Sequence, residues 1–314
     1  MSKIKLALLS GGISKEREVS LKTGDQIFTA LDKSKYKIYR YDLKNDLASF
    51  FSDCINKKFD IVFPAMHGPY GEDGKLQGML DMLQMPYLFS GCLTSALAMN
   101  KHKTTIIARH IGLKIAPHYI LRRDDDYSTS DILSKLNFPI VIKPVELGSS
   151  LGISIASNDA ELEQGILSAF DHDNTIMLEQ FILGRELTVA VMGETYKPRA
   201  LPVIEIKPKS AEWFDYEAKY IKGGSDEVCP AEIPPTIKDD LQIQAKRIYS
   251  AIDCKDLGRV DFIWDEKNGD IYFLEINTIP GMTEFSLVPL AARTEGIEFS
   301  ELLNRLIMAA LRRA

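Results

Sequence analysis

The sequence predicts a mixed α/β and α+β protein, a parallel-sheet unit followed by units with antiparallel features. Three observations carry this expectation. Strands and helices alternate from Ile4 to Phe89, with glycine-rich loops after two of the strands, the signature of a parallel sheet covered by helices. From Phe138 onward, short strands lie close together in the chain, joined by turns. Near the end, Gly258–Trp264 and Ile271–Asn277 alternate polar and apolar residues around Asp265–Asp270, which carries Asn268-Gly269, so the pair reads as a β-hairpin.

In chain order, Ile4–Leu9 is a buried strand with Gly11-Gly12 directly after it. A helix starts near Ser14 and runs through Val19, Ile27 and Leu31. Strands follow at Tyr36–Tyr41 and Phe59–Ala65, the latter opening into the loop Met66–Gly74. A helix at Lys75–Leu83 and a short strand at Pro86–Phe89 complete a first parallel-sheet unit, residues 1–98. In such sheets the ligand crevice lies at the carboxyl ends of the strands, where both glycine loops fall.

The second unit, 99–184, opens with a helix at Lys101–Ile111. Strands at Phe138–Pro144 and Ile153–Ala156 flank Glu146–Gly152. Asn158-x-x-Glu161 resembles a capping box, opening a helix whose Leu162, Ile166, Leu167 and Phe170 share a face. A strand at Thr175–Glu179 leads through Phe181-Ile182-Leu183 to another at Glu186–Met192, and the third unit spans 185–314. Its Lys207–Pro235 stretch is irregular and long enough for a lid or binding loop, and Trp213, Phe214, Tyr216 and Tyr220 argue against disorder. A helix at Thr236–Ile252, the hairpin and a terminal helix from Ser300 finish the chain.

Composition narrows the function. The 314 residues are 45% hydrophobic and 26% charged, ordinary for a globular protein. A formal charge of −6 argues against a general nucleic-acid partner. Cys54, Cys92, Cys229 and Cys254 are scattered, as reduced thiols would be. Leu6-Ala7-Leu8-Leu9 is too short for a signal-peptide core, and no run reaches membrane-spanning length. The expectation is a cytoplasmic protein with no membrane partner.

The hairpin register decides its chemistry. A two-residue turn would set Asp261 opposite Ile276. A three-residue loop, Lys267–Gly269 with Gly269 left-handed, sets Asp261 opposite Glu275 and Arg259 opposite Asn277. The second places the four polar residues on one face. Paired carboxylates repel across a sheet, and their oxygens suit Mg²⁺ shared with substrate phosphates; an ordinary solvated face has the same alternation. Gly148-Ser149-Ser150-Leu151-Gly152 would let backbone N–H groups approach a phosphate, although taken alone it reads first as a flexible turn. It is not a Walker loop. Lys143 and Lys101 could neutralise phosphate, and Glu179 and Glu186 flank an apolar linker able to hold an adenine, though each also suits an ordinary surface or strand connection. Glu16, in the first turn of the first helix, could hold a substrate ammonium, and His67 could line the crevice. Beyond the hairpin, the Gly281 N–H could meet an oxyanion and Ser286 a carboxylate.

Taken together, these segments form one ordered series: Gly11–Ser20, His67-Gly68 with Gly71–Gly74, Lys143-Pro144 with Gly148–Ser150, Tyr216–Tyr220, and Glu275-x-Asn277-Thr278-x-Pro280-Gly281-Met282-Thr283. Over nearly its whole length the sequence resembles the D-alanine–D-alanine ligases, ATP-grasp enzymes with a Rossmann-like N-terminal domain. The resemblance implies ATP-dependent joining of two D-alanines through an acyl phosphate, for peptidoglycan precursors. It implies Glu16, Ser149 and Tyr220 around the first alanine's ammonium, with His67 nearby. Lys101, Lys143, Lys219 and Ser150 become phosphate contacts; Glu179, Phe181, Ile182 and Glu186 become adenosine contacts. Asp261, Glu275 and Asn277 become ligands for Mg²⁺ or Mn²⁺, two ions being expected. Arg259 and Gly281 become oxyanion stabilisers, with Ser286 and Leu287 at the second alanine's carboxylate. A homodimer is also implied. Glu146-Leu147 and Phe181 depart from common family residues, the latter often Trp. The nearest competitor is a D-alanine–D-lactate ligase, against which Tyr220 speaks; a non-catalytic ATP-binding module is disfavoured by the complete ligand set, and a nicotinamide dehydrogenase by the missing Gly-x-Gly-x-x-Gly.

Overall fold

The run Leu6–Leu9 is apolar without alternation, and each of these side chains is fully buried. The reason is that strand β1 (Ile4–Ser10) is central. It pairs in parallel with β2 (Tyr36–Asp42) on one side and β3 (Ile61–Pro64) on the other, and both faces are covered. Ala7 and Leu9 pack with Phe50, Leu76 and Leu80 from the helices Leu47–Ile55 and Lys75–Met82. Leu6 and Leu8 pack with Ile27 of the helix Arg17–Ala30, and with Leu302, Leu306 and Ile307 of the terminal helix Phe299–Arg313. The two ends of the chain thus share one core. This computed structural model describes residues 2–148, 152–208 and 225–313.

The short strand expected at Pro86–Phe89 reduces to a single bridge, Val62 with Tyr87. Phe89 adopts φ +75° and turns the chain out of the sheet, its N–H donating to the buried Asp256 at 2.7 Å. The helix Cys92–Met99 follows, not anticipated from sequence, and Asn100 both ends it and caps the helix Lys101–His110 through Lys103 N–H.

The next sheet is antiparallel, in the order β4 (His118–Arg122), β7 (Thr175–Gln180), β5 (Ile140–Pro144), β6 (Ser154–Ala156). The helix Asp159–Phe170 covers one face. The cap half of the capping box forms, the Asn158 side chain accepting from Glu161 N–H, while the Glu161 side chain accepts from Ser157 N–H, one residue before the cap, at 2.7 Å. Leu162, Ile166 and Phe170 are buried as expected, but Leu167 is 61% exposed; Leu167 follows Ile166 by one residue and so points about 100° away.

The third sheet runs β11 (Ser225–Val228), β10 (Ile204–Pro208), β8 (Arg185–Gly193), β12 (Asp256–Asp265), β13 (Asp270–Asn277), with β9 (Arg199–Ala200) also on β8. Because β10 continues to Pro208 and β11 pairs beside it, the stretch expected to be irregular from Lys207 contains ladder residues at Lys207–Pro208 and Ser225–Val228, and is irregular again from Cys229 to Pro234. The helix Pro235–Ala251 buries Leu241, Ala245, Ile248 and Tyr249 on this sheet.

The hairpin pairs Asp261 with Glu275 and Arg259 with Asn277, as expected, but not through the expected loop. The ladder closes at Asp265–Asp270 around four residues, and Gly269 has φ +74°. Asp265 Oδ1 ties the loop by accepting from the Lys267 and Asn268 N–H groups. A bulge between Asp261 and Phe262 then leaves Leu274 unpaired and shifts the register by one. The two one-residue differences cancel.

Candidate active site

Site residues lie where the three sheets meet. Gly11 and Gly12, with φ +76° and +82°, turn the chain out of β1, and Gly12 N–H donates to Asp42 at 3.1 Å. A Cβ on Gly11 would stand 2.2 Å from Asp42 Oδ1, so glycine is required there. Burial opposes ionisation of Asp42, yet the Gly12 and Lys44 N–H groups and the Arg17 guanidinium hold its carboxyl below the usual range. This anchored turn delivers Glu16, only 6% exposed, to the start of the first helix.

His67 is equally buried, with Nε2 3.1 Å from Thr23 Oγ1 and Nδ1 3.3 Å from Glu72 Oε1. Ser14 Oγ donates to the His67 carbonyl at 2.7 Å, joining the two loops. A Cβ built on Gly148 would lie 3.5 Å and 3.8 Å from the Glu16 oxygens and 3.7 Å from Glu72 Oε2. The glycine loop after β5 therefore starts within one methyl group's reach of the Glu16 and Glu72 carboxylates. Glu72 was given no role from sequence; its place in the loop after β3, at the carboxyl end of the sheet, was the available signal.

From Gly148 the site continues without a gap. Lys101, 8% exposed, donates from Nζ to the Leu147 carbonyl at 2.5 Å and lies 3.5 Å from Glu275 Oε2. Its own N–H donates to the Val145 carbonyl at 3.1 Å, so the helix start is locked to the strand that bears Lys143. Lys143 and Glu179, 7% and 4% exposed, form a 2.5 Å ion pair. They sit diagonally on adjacent strands, since Lys143 is opposite Met177 and Glu179 opposite Val141. Thus the lysine expected at phosphate and the carboxylate expected at adenine hold each other here. Phe181 and Ile182 are half-buried beside them, Phe181 N–H donating to the Pro139 carbonyl at 3.2 Å. Glu186, on β8, lies between Ile206 and Ile263 in the ladder.

On the hairpin, Asp261 is 4% exposed and accepts from Arg259 Nε at 2.9 Å, Arg259 Nη2 at 2.7 Å and Thr188 Oγ1 at 2.6 Å. Asn277 Oδ1 accepts from Ile279 N–H at 3.0 Å, which fixes the turn that follows. In that turn Ser286 Oγ accepts from Thr283 N–H at 3.1 Å, and a Cβ on Gly281 would lie 3.1 Å from the same oxygen. Glu284 N–H donates to Gln26 at 2.8 Å, tying the turn to the first helix. Ser286 and Leu287 stand at the start of the helix Leu287–Thr294. Ser149, Ser150, Lys219 and Tyr220 lie outside the described residues.

Asp261, Glu275 and Asn277 offer oxygen only, the donor set of a hard divalent cation. Among the described residues no group of three His, Cys, Asp or Glu side chains forms a cage. An ion at this face would complete its shell with phosphate oxygens and water. No helix among the described residues is long and apolar enough to cross a membrane.

A parallel-sheet unit, two antiparallel sheets and a buried lysine–carboxylate site at their junction define an ATP-grasp enzyme. The architecture is shared with a Bacillus anthracis D-alanine–D-alanine ligase solved with ATP: TM-score 0.85, 32% identity, covering 99% of this chain and 98% of that one. Residues 43–92 and 107–308 match the family models described as D-ala D-ala ligase N-terminus and C-terminus. A D-alanine–D-alanine ligase of Syntrophobacter fumaroxidans is 44% identical over 310 residues, 98% of either chain. The VanG D-Ala:D-Ser ligase of Enterococcus faecalis also superposes, with TM-score 0.84, 30% identity, and coverage of 98% of this chain and 100% of that one. The chain belongs to the D-alanine–D-alanine ligase family.

Proposed function

We propose that the protein joins two D-alanines at the expense of ATP, releasing ADP and phosphate, to make the dipeptide of peptidoglycan precursors. One observation carries this reading: Glu16 and Glu72 flank Gly148, and the adjoining Leu147 carbonyl is held by Lys101, which in turn pairs with Glu275 opposite Asp261 on the hairpin. A site that must hold an amino acid's ammonium at one end and a polyphosphate at the other needs this charge order, acid then base then acid.

A carboxylate is a poor electrophile, so activation comes first. The first D-alanine, its ammonium held by Glu16 with His67 alongside, attacks the γ-phosphorus through a carboxylate oxygen. The γ-phosphorus–oxygen bond of ATP breaks, giving an acyl phosphate and ADP. Lys101 and Lys143 neutralise phosphate charge, which is most of what phosphoryl transfer asks of a protein. For Lys143 this means exchanging part of its pairing with Glu179 for the nucleotide. Mg²⁺ or Mn²⁺ held by Asp261, Glu275 and Asn277, two ions in all, would supply charge neutralisation of the phosphates. The second D-alanine, its carboxylate at Ser286 and Leu287 and its ammonium proton already lost to water, attacks the acyl carbonyl with its neutral amine. The N–H proton then shed goes to the departing phosphate. Arg259 and the Gly281 N–H stabilise the oxyanion, and phosphate departs as the peptide bond forms. Glu179, Phe181, Ile182 and Glu186 take the adenosine. Ser149, Ser150, Lys219 and Tyr220 complete the substrate and phosphate contacts under a lid that keeps water from the acyl phosphate. Units 1–98, 99–184 and 185–314, a homodimer and a cytoplasmic setting belong to the same proposal.

Phosphate release with MgATP tests it. D-alanine alone supports turnover; L-alanine does not; D-lactate added to D-alanine gives no ester product. Absence of turnover with D-alanine would refute the reading.

A further inference from the structure

Thr188 lies on β8 directly opposite Asp261 on β12, 1% exposed between the buried apolar residues Leu187 and Val189. A valine would fill the same space in a strand core, so the hydroxyl calls for a physical reason. It has one proton to give and two acceptors in reach, Asp261 Oδ1 at 2.6 Å and the Val260 carbonyl at 3.2 Å. The shorter, charge-assisted contact is with the carboxylate.

A carboxylate offers about two acceptor sites on each oxygen. Oδ1 receives Thr188 Oγ1 and Arg259 Nε, which fills it. Among the described residues, Oδ2 receives Arg259 Nη2 alone, at 2.7 Å. We infer that Thr188 is a positioning residue for the hairpin's divalent cation: it pins Asp261 so that Oδ2 alone is presented to the ion, as a single-oxygen ligand. This rests on the metal role proposed for Asp261. Arg259 alone leaves the carboxylate hinged on one partner; Thr188, on the neighbouring strand, supplies the second fixed point.

The test is the affinity of Mn²⁺ for the protein saturated with a non-hydrolysable ATP analogue, read by water-proton relaxation, with melting temperature measured beside it. Partners outside a metal's own ligands typically set affinity by 10–100-fold. Thr188→Val is expected to weaken Mn²⁺ about tenfold, at the low end of that range because Arg259 remains. Thr188→Ser restores the affinity to within about twofold, since the donor returns. Should the valine variant not fold, Thr188→Ala carries the same expectation. Parent-like affinity in Thr188→Val, while Asp261→Asn loses Mn²⁺, overturns the inference and leaves the metal site standing. Parent-like affinity in both overturns the metal reading and this inference together.

Discussion

Replacing Gly68 by alanine would drive a methyl group into the carboxylate of Glu16. The new Cβ would stand 2.3 Å from Glu16 Oε2 and 3.4 Å from Ser14 Cβ. Ordinary contact begins near 3.4 Å, so the carboxylate must retreat by at least an ångström. Gly68 also has φ +73°, a left-handed conformation that costs a side-chain-bearing residue about 1–2 kcal/mol. The two effects separate in the assay. Backbone strain lowers the melting temperature by a few degrees. Displacement of Glu16 removes a charge-assisted hydrogen bond to the substrate ammonium, worth about 1.5–3 kcal/mol, or roughly 10–150-fold in binding. Steady-state phosphate release should therefore show the KM for the first D-alanine raised at least about tenfold, with the KM for ATP within about twofold of the parent. A Gly68→Ala protein with unchanged D-alanine KM would refute the placement of Glu16 at the ammonium.

Other positions give independent checks. Gly148→Ala meets the Glu16 and Glu72 carboxylates only at 3.5–3.8 Å, so it should fold like the parent yet lose D-alanine affinity by about tenfold, because its methyl group covers both acids; equilibrium binding of D-alanine by calorimetry checks this. Glu275→Gln should keep the parent melting temperature within a few degrees, since the side chain is 30% exposed, while abolishing most Mg²⁺-dependent turnover. Full activity in that variant would show the hairpin face is not a metal site. Arg313→Met should destabilise the fold by about 3 kcal/mol in denaturant unfolding, because it removes the only cation paired with Asp256 among the described residues and leaves it the Phe89 N–H. The Asp256 side chain is fully buried, and burial already pushes its carboxyl up. Adding Asp256→Asn to Arg313→Met should recover part of that loss, and no recovery would mean the pair is not the source.

Much of the site was legible because it rests on local patterns. The first turn follows from an apolar strand ending in Gly11-Gly12, and the helix cap from Asn158-x-x-Glu161. The hairpin pairing was reached through a different loop: Asp265–Asp270 closes four residues and the bulge at Leu274 restores the register. Alternating polarity set the pairing, because only that register keeps Arg259, Asp261, Glu275 and Asn277 on one face. What escaped depends on partners distant in sequence. β4 is a short segment stabilised by β7, more than fifty residues along the chain. The terminal helix is amphipathic in sequence, but nothing in it says that its apolar face covers β1. Glu72 and Thr188 belong to the same class. One is a loop acid and the other a β-branched strand residue until the fold brings them against Gly148 and Asp261.

The central claim is that a D-alanyl phosphate forms in this site and is captured by a second D-alanine. Positional isotope transfer tests it most directly. With D-alanine labelled by ¹⁸O in its carboxylate, one labelled oxygen per turnover should appear in the released phosphate, because the acyl oxygen leaves with it. Turnover that yields dipeptide with unlabelled phosphate would contradict the account.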